Sequence, residues 1–143
     1  MMRLCWPLPG AFQEITSPFG LRVHPVTLRE CRHSGVDIAC PSGTLIRAPA
    51  DGRVLAIWLD ERHGGGLSMT LQCGGELRFG FAHLLGARAS RGAAVCRGDI
   101  IALSGGVPGQ PGAGRSTGPH LHLCCRQRGL HVDPLGLDWE ALP

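Results

Sequence analysis

The stretch Leu67-Ser68-Met69-Thr70-Leu71-Gln72-Cys73-Gly74-Gly75-Glu76-Leu77-Arg78-Phe79-Gly80-Phe81-Ala82 decides the fold. Leu67, Met69 and Leu71 alternate with Ser68, Thr70 and Gln72. Beyond Gly74-Gly75, Leu77, Phe79 and Phe81 alternate with Glu76, Arg78 and Gly80. Successive side chains of a strand point to opposite faces, so each half presents one apolar face, and the paired glycines supply the turn between them. The stretch therefore predicts a β-hairpin with one buried face. Working outward, Val54–Leu59 and Ile100–Leu103 are short apolar runs bounded by Gly or Asp, which reads as fully buried strands. No long window carries a 3.6-residue period. Loops are expected at 60–66, 85–94 and 105–118. The last, GGVPGQPGAGRSTG, reads as a long surface loop because a strand-like segment follows it directly.

At 143 residues, with 43% hydrophobic and 17% charged residues, the chain reads as one globular domain. Gly 22 and Pro 11 predict many turns and few long helices. The expected division is a lead segment 1–14, a domain 15–137 and a short tail 138–143. Lysine is absent, so all 14 basic residues are arginines. That excludes Schiff-base chemistry and a Walker-type phosphate loop. The Gly105–Gly114 stretch lacks the lysine such a loop needs. A net charge of +3 and 5% aromatic content do not support nucleic-acid binding, although the positive bias favours approach to an anionic polymer. No segment has the ~18–20 apolar residues of a transmembrane helix. MMRLCWPLPGAF has two prolines in its apolar stretch and does not read as a signal peptide. The seven cysteines lack the C-x-x-C spacing of a zinc ribbon.

The chemistry lies in His33-Ser34-Gly35-Val36-Asp37 and His120-Leu121-His122. In extended chain His33 and Asp37 share a side, and His120 and His122 project together about 6.6 Å apart. Two imidazoles at that separation border one metal without both having to bind it. A catalytic zinc takes three protein ligands of N or O type and keeps a fourth position open. His, Asp and His from two strands supply such a set. Phe81-Ala82-His83-Leu84 ends the second hairpin strand, and simple alternation puts His83 on the face of Phe79 and Phe81. Any one of the seven histidines is more often a surface or hydrogen-bonded residue than a ligand, so the weight falls on the combination.

These pieces, in order, are ITSPFGLRVHP, HSGVDIACPSGTLIRAPADGRV, FAHL, GDIIALSG, STGPHLHL and VDPL, from Ile15 to Leu137. The sequence thereby resembles the lysostaphin/LytM-type zinc metallopeptidases, which cleave peptide cross-links of bacterial peptidoglycan. The resemblance implies a mainly β domain of antiparallel sheets, of the barrel-sandwich hybrid type, with long Gly/Pro-rich loops around a groove. It implies His33, Asp37 and His122 as zinc ligands and His83 and His120 as non-ligand active-site histidines. The implied activity is zinc-dependent endopeptidase action on cross-links or stem peptides, outside the cytoplasm, in wall remodelling, phage lysis or antibacterial attack. The rival is a non-catalytic wall-binding or hydrolase-activating module of the same fold; intact His83 and His120 argue for catalysis. With no H-E-x-x-H glutamate present, a histidine must move the proton.

Three departures from the family pattern stand out. Phe81 replaces the usual Tyr two residues before the FAHL histidine, which would lower activity if that hydroxyl met the transition state. Leu123-Cys124 stands where the family commonly has Phe-Glu, and alternation puts Cys124 on the face of His120 and His122. Gly66-Leu67 stands where the family has a Gly-Asn turn. Arg22 and His24, in GLRVHP, are candidates to line the groove. Cys31, two residues before His33, offers a Cys-His nucleophile pair as a minor alternative. Asp99 is expected in a turn, and His63 and His131 at the surface.

Overall fold

The structure, a computed structural model, describes residues 2–23 and 27–140. His24 lies outside the described residues. Fifteen strands occur among them. In chain order they are β1 (Leu4–Cys5), β2 (Ile15–Ser17), β3 (Gly20–Val23), β4 (Glu30–His33), β5 (Gly35–Ala39), β6 (Leu45–Arg47), β7 (Gly52–Asp60) and β8 (Gly66–Cys73). Then come β9 (Leu77–Ala82), β10 (Gly86–Ala87), β11 (Ala94–Val95), β12 (Ile100–Leu103), β13 (His120–Gln127), β14 (Leu130–Val132) and β15 (Trp139–Glu140). The one helical element is a short 3-10 turn, Pro134–Gly136. No helix among the described residues is long and apolar enough to cross a membrane.

The hairpin forms where the alternation places it. β8 and β9 pair antiparallel with Met69 opposite Phe81 and Leu71 opposite Phe79, and none of the four is more than 1% exposed. Such cross-strand apolar pairs are the unit of sheet stability. The turn uses left-handed backbone at Gly75 (φ 66°), which glycine adopts freely, and at Glu76 (φ 60°). The hairpin is the middle of an eight-stranded sheet of order β11-β7-β8-β9-β13-β5-β2, with β14 also paired to β13. A three-stranded sheet, β10-β12-β6, contributes Ile46, Ile101 and Ala102 to the same apolar core. The mainly β, antiparallel fold class expected from the sequence is the one observed.

Two expected buried strands are buried only in part. Val54 is 1% exposed, but Leu55, Trp58 and Leu59 are 44%, 44% and 56% exposed. The reason is position. β7 is covered on its outer side only by the two-residue β11, which reaches Gly52 and Arg53. Beyond the register shift between Val54 and Ala56, Ile57 still packs against the core, while Trp58 and Leu59 do not. Ile101 and Ala102 are fully buried, whereas Ile100 is exposed.

The terminal segments close on each other. β1 pairs in parallel with β15, Leu4 N–H donates to Asp138 C=O at 2.8 Å, and Arg97 and Arg3 both face Glu140. The Trp6 and Trp139 rings meet edge to face at 5.3 Å, and Leu4 and Leu8 sit in the core at 1% and 0% exposure. Residues 4–8 thus pack as core. Leu8→Ala is expected to lower the unfolding free energy by about 2–5 kcal/mol. Urea denaturation checks this; a loss under about 0.5 kcal/mol, the range of a surface change, would show that the segment adds no core.

Candidate functional site

The site begins with a close approach between two strands. A side chain at Gly35 would collide with the Leu123 carbonyl, so only glycine lets β5 lie against β13 at this point. The resulting register sets Asp37 opposite His122, with Ile38 opposite Leu121 and Val36 opposite Leu123. Ile38, Leu121, Val36 and Leu123 are all fully buried, which forces Asp37, His120 and His122 onto the other face. His33 joins from the end of β4, where the ribbon β3–β4 pairs Gly20 with His33.

Three donors converge there. His33 Nε2 lies 3.2 Å from His122 Nδ1 and 3.4 Å from Asp37 Oδ1, and His122 Nδ1 lies 2.9 Å from the same oxygen. Ligand atoms of these three residues fall within 4.8 Å of one another. His33 donates its Nδ1–H to the Pro18 carbonyl at 2.9 Å, which leaves the Nε2 lone pair facing the cluster. Burial pushes the Asp37 carboxyl up, but hydrogen bonding and attraction to His122 and His33 outweigh it and hold the group well below the usual carboxylate range. The set is therefore two imidazoles and one carboxylate, the N/O composition that suits a zinc ion with an open fourth position. The His122 Nδ1–H that bridges to Asp37 is the proton a metal would displace.

Two further imidazoles flank the cluster. His120 Nε2 lies 3.7 Å from Asp37 Oδ1, and its Nδ1–H is donated to the Gly118 carbonyl at 2.7 Å. His83 donates its Nδ1–H to the Ala113 carbonyl at 2.7 Å, and its ring centroid is 4.9 Å from that of His120. Strand alternation misplaces His83. It does not share the face of Phe79 and Phe81, because its backbone is left-handed (φ 58°) and turns the side chain to the histidine side as β9 ends. Burial lowers the His83 pKa below the usual histidine value, against the opposing bond to Ala113. Each of these rings, when neutral, keeps Nε2 as a proton acceptor.

The five residues singled out in the sequence thus lie together. Phe81 is 1% exposed and its ring packs in the core beneath the groove. Cys124 faces the groove side and packs over Gly80, where an added Cβ would come 2.5 Å from its Sγ. Burial raises its pKa, so it stays a protonated thiol and lies outside the donor cluster. Cys31 is exposed, with its Sγ 4.0 Å from the Arg32 carbonyl rather than against an imidazole. Asp99 sits in a turn that accepts the Cys96 N–H. His63 and His131 are exposed, as expected, and lie at the groove rim. Arg22 lines the groove and donates from Nη1 to Ser17 Oγ at 2.6 Å, beside His33. Sequence reasoning misses the three carbonyls of Pro18, Ala113 and Gly118, because a backbone acceptor leaves no residue-type signal. It also misses Arg78 and Arg126, which alternation from Gly80 and His122 would have placed on the site face.

The groove encloses about 1070 Å³. Relatives share this arrangement of strands. The DD-carboxypeptidase/endopeptidase Mpg of Neisseria meningitidis is 37% identical over 136 residues, which is 94% of this chain and 29% of that protein. A zinc-containing peptidase from Vibrio cholerae superposes with a TM-score of 0.82 at 32% identity, covering 94% of this chain and 40% of the other. The catalytic domain of the antimicrobial peptidase lysostaphin from Staphylococcus simulans gives 0.71 at 26% identity, covering 86% and 90%. The chain spans less than a third of the length of the curated relatives it matches. The profile described as Peptidase family M23 matches residues 31–134, well over half of the chain and all five site residues, and the chain belongs to that family.

Proposed function

We propose that this domain is a zinc-dependent endopeptidase that hydrolyses peptide cross-links or stem peptides of bacterial peptidoglycan. The observation that carries the reading is the pairing of two clusters: three convergent donors, and two histidines beside them that are free to move a proton. Relatives named peptidoglycan DD-endopeptidases, 33–35% identical in Vibrio cholerae, support the substrate class. In this reading residues 15–137 form the metallopeptidase domain, with segments 4–8 and 139–140 completing its core. The site of action is outside the cytoplasm, where the wall is.

His33, Asp37 and His122 would hold the metal. Zinc so held supplies Lewis acidity, which polarises a carbonyl and acidifies water. The chain supplies the proton path. His83 and His120, each with Nδ1–H fixed on a carbonyl, present Nε2 as the acceptor. One of them takes the proton of the attacking water and passes it to the departing amine, and the other donates to the oxygen that gains charge only when its own Nε2 carries a proton. A module that kept a metal only for structure would use neither ring and would have four protein ligands.

Mass spectrometry of soluble fragments from purified peptidoglycan, with and without a zinc chelator, tests the activity. Chelator-sensitive release of peptide-cleaved fragments is expected; no release from zinc-loaded protein across several cross-bridge types would favour the binding module. His122→Ala is expected to lose both metal and turnover. His120→Ala should keep the metal and lose about 10²–10⁴-fold in kcat, the range of a general acid–base group. Metal analysis alongside kinetics checks both, and the reverse pattern would exchange their roles.

A further inference from the structure

The groove continues away from the histidines along β9 and β13. Cross-strand pairs on the site face run His122 with Ala82, then Cys124 with Gly80, then Arg126 with Arg78. The first two pairs, with Thr70, make a floor of small side chains, and all of these residues line the groove. At its far end Arg78 and Arg126 occupy directly paired strand positions. Like charges so placed destabilise a sheet. Each is anchored by one nitrogen: Arg78 Nε donates to Gln72 Oε1 at 2.9 Å, and Arg126 Nε donates to His131 Nε2 at 3.2 Å. Their outer Nη groups have no partner among the described residues.

No carboxylate offsets this charge. Arg22, Arg32, Arg78, Arg115 and Arg126 all line the groove, against Asp37 and Asp60, and none of the five pairs with a carboxylate among the described residues. The arginines that do pair, Arg3, Arg97 and Arg128, lie outside it. Glu76, beside the Arg78 end, is taken by Arg128 at 3.2 Å. Guanidinium groups held at Nε with their outer nitrogens free are suited to pairing with a carboxylate. His122 to Arg126 is four residues of strand, about 13 Å, the reach of about four residues of extended peptide.

We propose that Arg78 and Arg126 form a carboxylate-recognising subsite that reads a free carboxylate on the substrate peptide, about four residues from the bond over the metal cluster. The inference rests on the peptidase reading and adds the substrate's charge to it. The continuous floor favours a peptide running along the groove over a separate anionic polymer crossing it.

The test uses matched peptide substrates, one with a free carboxylate at that distance and one with the carboxamide, on the zinc-loaded protein. The acid should be preferred by about 3- to 30-fold in kcat/KM, mainly through KM, as for two exposed ion pairs. R78Q/R126Q should erase the preference, whereas R53Q, on the same cross-strand row but outside the groove, should retain it. Added salt should shrink the preference, because both arginines are exposed. The melting temperature of R78Q/R126Q should not fall, since a like-charge pair is removed. Equal use of acid and amide by the wild type, or equal losses on both in R78Q/R126Q, would overturn the subsite. Cleavage of neither peptide would count against the peptidase reading instead. Calorimetry then decides the subsite: tighter binding of the acid that R78Q/R126Q abolishes upholds it, and equal binding of acid and amide overturns it.

Discussion

The register between β5 and β13 is the constraint on which the site depends. A slip of β5 by one residue would turn that strand over, carrying Asp37 into the core and Val36 and Ile38 into the groove. Burying a carboxylate among apolar groups is expensive, and exposing fully buried Val36 and Ile38 forfeits about 1.5–3 kcal/mol each. The apolar face therefore fixes the functional face. Gly35 permits it, because no side chain can stand between the strand and the Leu123 carbonyl. Stability and metal-binding geometry are set by the same pairing, so a change that loosens one loosens the other.

The choice of backbone carbonyls to hold the histidines follows the same economy. A carboxylate partner on Nδ1 would fix the tautomer but would also favour the charged ring. A carbonyl fixes the tautomer with a weaker pull. At His83 burial wins over the bond to Ala113 and keeps the ring neutral, as a proton acceptor must be. The long Gly/Pro-rich loop is what makes this possible. It brings Ala113, itself 2% exposed, and Gly118 to the imidazoles, and it makes a main-chain bridge from Gly105 to His120. Its many glycines permit close packing, as at Gly112, where a Cβ would meet the Leu84 carbonyl.

Much of this was legible in the sequence wherever period two held without interruption. Leu67–Leu71, Leu77–Phe81 and His120–His122 alternate cleanly, so their faces were readable, and with them the hairpin and the two projecting histidines. The reading broke where the backbone left the regular strand. His83 has the residue type and the place expected of it, yet its left-handed φ reverses the face that alternation assigns. Val54–Leu59 carries an apolar run, but burial depends on what packs against a strand's faces, and the run itself does not say that the core ends near Ile57. Packing of residues 4–8 against β15 was hidden for a related reason: the parallel pairing joins segments at opposite ends of the chain, which no local pattern records.

The charge on the groove completes the argument about cost. A chain without lysine places five arginines around one concavity with no carboxylate partner among the described residues, while elsewhere its arginines find Glu76 and Glu140. Exposed ion pairs are each worth about 0–1 kcal/mol, so the fold gives up little by omitting them. Arginines at directly paired strand positions are a different matter, because like charges so placed weaken a sheet. Proteins keep such local losses where a ligand relieves them, and among the described residues no carboxylate pairs with Arg78 or Arg126. That puts the missing counter-ion on the substrate.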